Sequence, residues 1–394
     1  MNFPKVRIED IPREDFVPRY CPHKDCPCHH DFPKRQRPFR YRRHHTYRRK
    51  NDGRIIPRFY CYTCRRTFSQ QSFATTYFLK RPDLQLKVLY GVVAGSSHRQ
   101  IANTEGCAPS TIARQAARLG RHCFLLHEEC LRQLGFIRED VVYDHFEGFA
   151  HSQYFPFGTG TSVGRESWFI YAVDHVPHRR TGRQSPAQKA KQKRFDKAVG
   201  RAPRGAYLRG CRRTIDRLLA MHAPSRRLRL VTDAHPAYKA TVATHPERER
   251  IEHEVYPNPK GRRKGAKRTR EEIERDREMF AVDHCHRIFR HYSSHDKRET
   301  LAFSRRYADA SMRKYILICF RNLIKKRSER RPTQRTPAKD IGLTKTIWTW
   351  QRVLAKRLRM SRMGLDADDE AVYKRKMDFE VPGPFKFHDP VFAD

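Results

Sequence analysis

The sequence predicts an α/β fold, and three kinds of segment predict it. VVYDHFE (residues 141–147) and LRLVTD (228–233) are short, apolar and rich in β-branched residues, the pattern of buried strands. SWFIYAVD (167–174) is a third such run, with aromatic residues added. Around them, apolar positions recur at helical spacing, as in the stretch from about 280 to 327.

Composition narrows the partner. The chain has 394 residues, which suggests roughly two to four domains and a substantial core. It carries 83 Lys plus Arg against 43 Asp plus Glu, a net charge of +40. That excess favours a polyanion, because each phosphate neutralised releases condensed counterions. Apolar runs such as YILICF (315–320) fall far short of the ~20 residues of a spanning helix. MNFPKVRIED has no apolar signal core, so neither membrane insertion nor secretion is expected. Eleven cysteines, five of them between residues 21 and 64, point to metal binding in a reducing, cytoplasmic compartment.

Residues 1–75 are expected to form a zinc ribbon. Cys21 and Cys26 in CPHKDC, with Cys61 and Cys64 in FYCYTCRRTF, supply two cysteine knuckles, and a tetrahedral Zn²⁺ takes four such ligands. Cys28, His29 and His30 compete for the second position. Tyr60, Tyr62 and Phe68 would supply the module's core. The intervening KRQRPFRYRRHHTYRRK interleaves Arg with aromatic residues and so favours DNA.

Residues 76–134 are expected to hold a helix-turn-helix. Ser97 and Gln100 make a capping box, Gly106 allows the turn, and Pro109 suits the first position of the next helix. Ile101, Ala102, Ile112, Ala116 and Leu119 would be buried. Ser110, Thr111, Arg114, Gln115 and Arg118 would then face outward toward phosphates and base edges. An ordinary helical hairpin has the same local pattern.

Residues 135–330 carry the α/β core, with a basic insertion near 176–213: thirteen Lys or Arg and one acid, Asp196, lie between Arg179 and Arg213. A second basic loop, PNPKGRRKGAKRTR (257–270), runs into a charged helix. Residues 331–394 form a tail of mixed character, in which IWTWQRVLAKRL (347–358) has a helical pattern.

Acids are scarce in this chain, so two aspartates at the ends of apolar strands need a reason. Asp144 and Asp233 have that setting, and Asp283 opens a helix in which His286, Arg287 and Arg290 share its face at i+3, i+4 and i+7. Two-metal phosphodiester cleavage needs carboxylates that flank ions ~3.5–4 Å apart. Glu147 and Asp174 compete for metal roles, although an acid at a strand end more often caps or pairs with Arg.

These residues resemble the DDE transposases of bacterial insertion sequences, in particular the insertion element one family. The resemblance rests on DHFE (144–147), WFIYAVD (168–174), Thr232-Asp233-Ala234 with Tyr238 following, and Asp283 with Arg290 seven residues on. It then continues in register through RETLAFSR (298–305) and covers roughly residues 20–327. The chain departs from the family in having Asp283 for the usual Glu, Ala234 for Gly, and Glu147 for the Trp after the first acid.

The resemblance implies an RNase H-like α/β core holding two Mg²⁺ or Mn²⁺ ions, with Asp144 and Asp233 bridging them and Asp283 completing one site. It also implies hydrolysis at the element's ends, then attack of the freed 3′-hydroxyl on target DNA. Arg287, Arg290 and Arg298 would hold phosphates. The partners implied are the element's terminal repeats, target DNA and further copies of the chain, in a bacterial cytoplasm at the nucleoid. A non-catalytic DNA-binding regulator using only the ribbon and the helix-turn-helix is the alternative. A structural RNA-binding protein is a weaker one.

Overall fold

A computed structural model of the chain describes residues 16–30, 39–50, 52–259, 267–297, 300–330, 334–377 and 379–381. Within them the architecture is mixed α/β. Three antiparallel strands, β1 (Tyr41–Arg48), β2 (Ile55–Cys61) and β3 (Thr67–Ser69), pair in that order. Phe59 and Phe68 fill the small core with Cys21, Cys26 and Cys61, while Tyr60 and Tyr62 stay on the outer face. There Arg42 lies over the Tyr60 ring and Arg40 over Tyr62, so β1 presents almost all its side chains to solvent.

Three helices follow: α1 (Leu84–Val93), α2 (His98–Thr104) and α3 (Pro109–Gln133). Ser97 and Gln100 form the capping box of α2, and Gly106 turns the chain with φ +58°. The helix after the turn runs 25 residues, through Gly120. A Cβ at Gly120 would overlap Met312, so this glycine marks a close helix crossing and not a stop.

The main sheet comprises β4 (Val141–Phe149), β5 (Pro156–Gly164), β6 (Ile170–Pro177), β7 (Leu228–Thr232) and β8 (Ile251–Val255). Their order is β6-β5-β4-β7-β8; β5 runs antiparallel to both neighbours, and β7 and β8 run parallel to β4. The crossover from β6 to β7 contains α4 (Pro186–Val199) and α5 (Ala206–Met221). The expected basic insertion is therefore partly core. Cys211, Ile215 and Leu218 put an apolar stripe of α5 inward, while Arg209 is exposed and Arg213 and Arg217 pair with Asp369.

After β7 come α6 (Pro236–Ala243), α7 (Arg270–Glu278), α8 (Phe280–Tyr292) and α9 (Tyr307–Cys319). The helical stretch expected from 280 to 327 is thus broken, because Ser293 is extended and Ser294–Asp296 form a 3-10 turn. The tail adds α10 (Pro337–Asp340), α11 (Trp350–Leu354) and α12 (Ala367–Tyr373). One hydrophobic core runs from Leu84 to Tyr373 and includes Trp350, Val353 and Leu354. The expected boundaries near 134 and 330 therefore do not separate independent cores. The tail also clasps the N-terminal module: Arg357 and Arg359 donate to the Ser72 carbonyl, and Ser361 meets His29 Nε2 at 2.9 Å. No helix among the described residues is long and apolar enough to cross a membrane.

Glycines in β5 make room for polar groups beneath the sheet. A Cβ at Gly160 would overlap the buried Asp174 carboxylate, and one at Gly158 would crowd His145 and Tyr207. Gly160→Ala is expected to destabilise the fold by ~1–3 kcal/mol, the usual cost of overpacking. Denaturant unfolding of the variant checks this, and unchanged stability would show that Asp174 can move aside.

Candidate acidic site and cysteine cluster

Four cysteines converge at the base of the N-terminal sheet. Cys21, Cys26, Cys61 and Cys64 have sulfurs all within 4.8 Å of one another, a set able to hold a metal ion. The Cys21–Cys64 and Cys26–Cys61 sulfurs are 3.7 and 3.9 Å apart. A thiolate tetrahedron with metal–sulfur bonds of ~2.3 Å has edges of about 3.8 Å, so the spacing fits. The competitors stand aside. Cys28 Sγ meets Thr63 Oγ1 at 3.1 Å, His29 bonds the Cys21 carbonyl and Ser361, and His30 packs edge-on to His29.

The acidic site follows from strand register. In the parallel pair β4–β7, Tyr143 lies opposite Thr232, the last residue of β7. One residue on, Asp233 lies just past the carboxyl end of β7, beside Asp144, which sits within β4 and not at its end as expected, since β4 continues to Phe149. This is where the connection reverses direction across the sheet, the usual location of a ligand crevice in open α/β sheets. Burial, reinforced by the charge of Asp233, pushes the Asp144 carboxyl up to about 7. Its Oδ1 accepts from the Tyr238 hydroxyl at 3.1 Å, and its Oδ2 lies 3.7 Å from Nδ1 of buried His286.

Asp283 reaches the same neighbourhood from α8, one turn before His286. The imidazole of His286 bonds Thr161 of β5 at 2.7 Å, which seats the helix on the sheet. Asp283 is ion-paired with Arg275, whose other nitrogen donates to Asn258 at 2.7 Å. Asn258 in turn donates to Asp233 Oδ2 at 2.9 Å, so a hydrogen-bonded bridge joins the second and third acids. Among the described residues the Cys quartet is the sole group of three or more possible ligands within 4.8 Å. The three aspartates are gathered at one end of the sheet but stand further apart than that.

The two competing acids lie on the opposite face. Glu147 bonds Tyr207 and His178. Asp174, 2% exposed, pairs with His145 and not with an arginine, contrary to expectation. Burial alone would raise its carboxyl, but the His145 charge and hydrogen bonds from His145, Tyr143 and Thr214 outweigh that and hold it far below its ordinary range.

The helix-turn-helix residues divide. Ser110 and Arg114 are exposed and Thr111 half-exposed, as expected. Gln115 is buried and donates to the Arg81 carbonyl at 3.3 Å, and half-buried Arg118 donates to the Tyr77 carbonyl at 2.7 Å. The segment preceding α1 crosses that side of α3, which turns both side chains inward. On α8, Arg287 is exposed and Arg290 lies 4.8 Å over the Phe146 ring. Arg298 lies outside the described residues.

Sequence reasoning missed His145, Asn258 and Arg275 as neighbours of the acids. Asn258 sits in a basic loop with no local signal. His145 is adjacent to Asp144, yet its role depends on which face of the strand is covered.

Asp144 generates a pH prediction. Its carboxyl is raised in the fold, so the stabilisation is complete below its ordinary value near 4 and is lost as pH rises through about 7. Asp144→Asn without added metal should be more stable than wild type by ~1–3 kcal/mol at about pH 8, with the gap closing below about pH 5. Urea unfolding at both pH values checks it; a gap that does not change with pH would refute it. In comparisons with known proteins, no family model, curated protein or solved structure matches this chain, so its function rests on its own residues.

Proposed function

We propose that this chain is a DNA transposase with an RNase H-like core, cutting the ends of an insertion sequence and joining the 3′-hydroxyl to target DNA. The observation that carries this reading is the adjacency of Asp144, on central strand β4, and Asp233, just past the end of parallel β7, with Asp283 on the helix alongside. A central strand, its neighbour and a packed helix are the three sources of acid that the family resemblance implies. Burial is the main reason the Asp144 carboxyl is raised, and the neighbouring charge of Asp233 adds to it; a cation between the two carboxylates would relieve that second part. Hard carboxylate oxygens suit Mg²⁺ or Mn²⁺, and such ions would polarise the phosphate, activate the attacking oxygen and stabilise the leaving one.

The rest of the chain holds and aligns DNA. Exposed arginines of β1, the solvent-facing helix α4 and Arg287 with Arg290 beside the acids give the backbone a cationic track. Ser110, Thr111 and Arg114 remain the base- and phosphate-facing residues of the helix-turn-helix. The four thiolates suit Zn²⁺, which would fix the ribbon. The expected setting is the bacterial cytoplasm, at the nucleoid, with several copies of the chain acting together.

A second reading, a non-catalytic DNA-binding regulator, is favoured by one observation: Arg275 occupies the Asp283 carboxylate. The two readings part on one experiment. With Mg²⁺ and a DNA bearing the element's end, Asp233→Asn should bind like wild type while cleavage falls ~100-fold or more, the scale of losing one electrostatic stabiliser. Identical behaviour of the two proteins would favour the regulator. Stripping zinc should weaken end binding before it unfolds the sheet around Asp144; full end affinity after complete zinc removal would exclude a DNA-binding role for the ribbon.

A further inference from the structure

The hydroxyl of Tyr238, on α6, has three polar neighbours. It lies 3.0 Å from the backbone nitrogen of His145, 2.8 Å from Nδ1 of the same residue, and 3.1 Å from Oδ1 of Asp144. The backbone contact has a topological cause. β7 ends opposite Tyr143, so the next amide of β4 has no strand to donate to, and the phenol takes the strand's place. A phenol has one hydrogen and two lone pairs. The backbone N–H fills one lone pair and the phenol hydrogen goes to Asp144 Oδ1; with Nε2 of His145 donating to Asp174, a doubly protonated ring fills the second lone pair through Nδ1–H.

The imidazole is itself held from behind. Its Nε2 is 3.0 Å from Asp174 Oδ1, and Asp174 Oδ2 accepts from Tyr143 at 2.5 Å and Thr214 at 2.8 Å. His145, Asp174, Tyr143, Thr214 and Tyr238 are all buried. Burying an Asp–His pair costs desolvation that an apolar core would avoid. Two glycines of β5 leave the space above it. Such a network is expensive to keep, and it leads to one oxygen of Asp144.

We propose that Tyr238, aimed by the buried His145–Asp174 pair, is a positioning residue that fixes the Asp144 carboxylate and leaves its second oxygen for a divalent cation. This rests on the reading of Asp144 and Asp233 as a cation site. The Tyr238–His145–Asp174 chain then acts as the outer support that orients a ligand, a role whose removal typically weakens metal affinity by 10–100-fold.

The test is Mn²⁺ titration by calorimetry on the full chain, with melting temperature and metal-free DNA affinity measured alongside. Tyr238→Phe keeps the ring and removes only the hydroxyl; it should weaken Mn²⁺ binding about tenfold or more while metal-free DNA affinity stays at the wild-type level. Asp174→Asn should act in the same direction, and the double variant should be no worse than the stronger single one, since both act on a single chain of contacts. If Asp174→Asn does not fold, Tyr238→Phe alone decides. Wild-type Mn²⁺ affinity in Tyr238→Phe, with Asp233→Asn abolishing binding, would overturn the proposal while leaving the cation site standing. If wild type shows no Mn²⁺ binding that depends on Asp233, both the cation site and the positioning role are overturned together.

Discussion

The register of β4 against β7 is the constraint on which the rest depends. It brings two carboxylates side by side at the point where β7 stops, and like charges at that distance repel unless a cation or a proton intervenes. Much of what surrounds them is arranged to tolerate that. Tyr238 donates to one acid, Asn258 to the other, and Arg275 both supports Asn258 and neutralises Asp283. A slip of one residue in this strand pair would turn Asp144 to the opposite face, under α5, and remove the site altogether.

The two faces of β4 do different work. Asp144 and Phe146 face α8, where His286 and Arg290 meet them. Tyr143, His145 and Glu147 face α5, where they form a polar layer with Asp174, Thr214 and Tyr207. The glycines of β5 belong to that second face. A strand that alternates glycine with threonine is intrinsically weak, and its place between two partners makes up for what its side chains do not contribute.

The proposed transposase chemistry would bring DNA to the α8 side, where exposed Arg287 and the acids lie together. The clasp formed by the tail then acquires a mechanical meaning. Arg357, Arg359 and Ser361 tie the cysteine module to the body that carries the acids, so a strand gripped by one has a defined position relative to the other. Flexible tethering would not give that, because two modules on a loose linker sample many relative positions.

Local patterns in the sequence were enough to identify the α/β class, the cysteine quartet, the capping box at Ser97, the turn at Gly106 and the strands that carry Asp144 and Asp233. Each is written in short local patterns, the quartet as two close cysteine pairs, Cys21 with Cys26 and Cys61 with Cys64. The partition of Gln115 and Arg118 inward, the break after Tyr292, and the merging of residues 84–373 into one core depended on segments far apart in sequence. So did the joining of Asp233 to Asp283 through Asn258 and Arg275. Those features arise from which surfaces meet when distant elements pack, and helix or strand periodicity records only that a face is apolar, not what covers it.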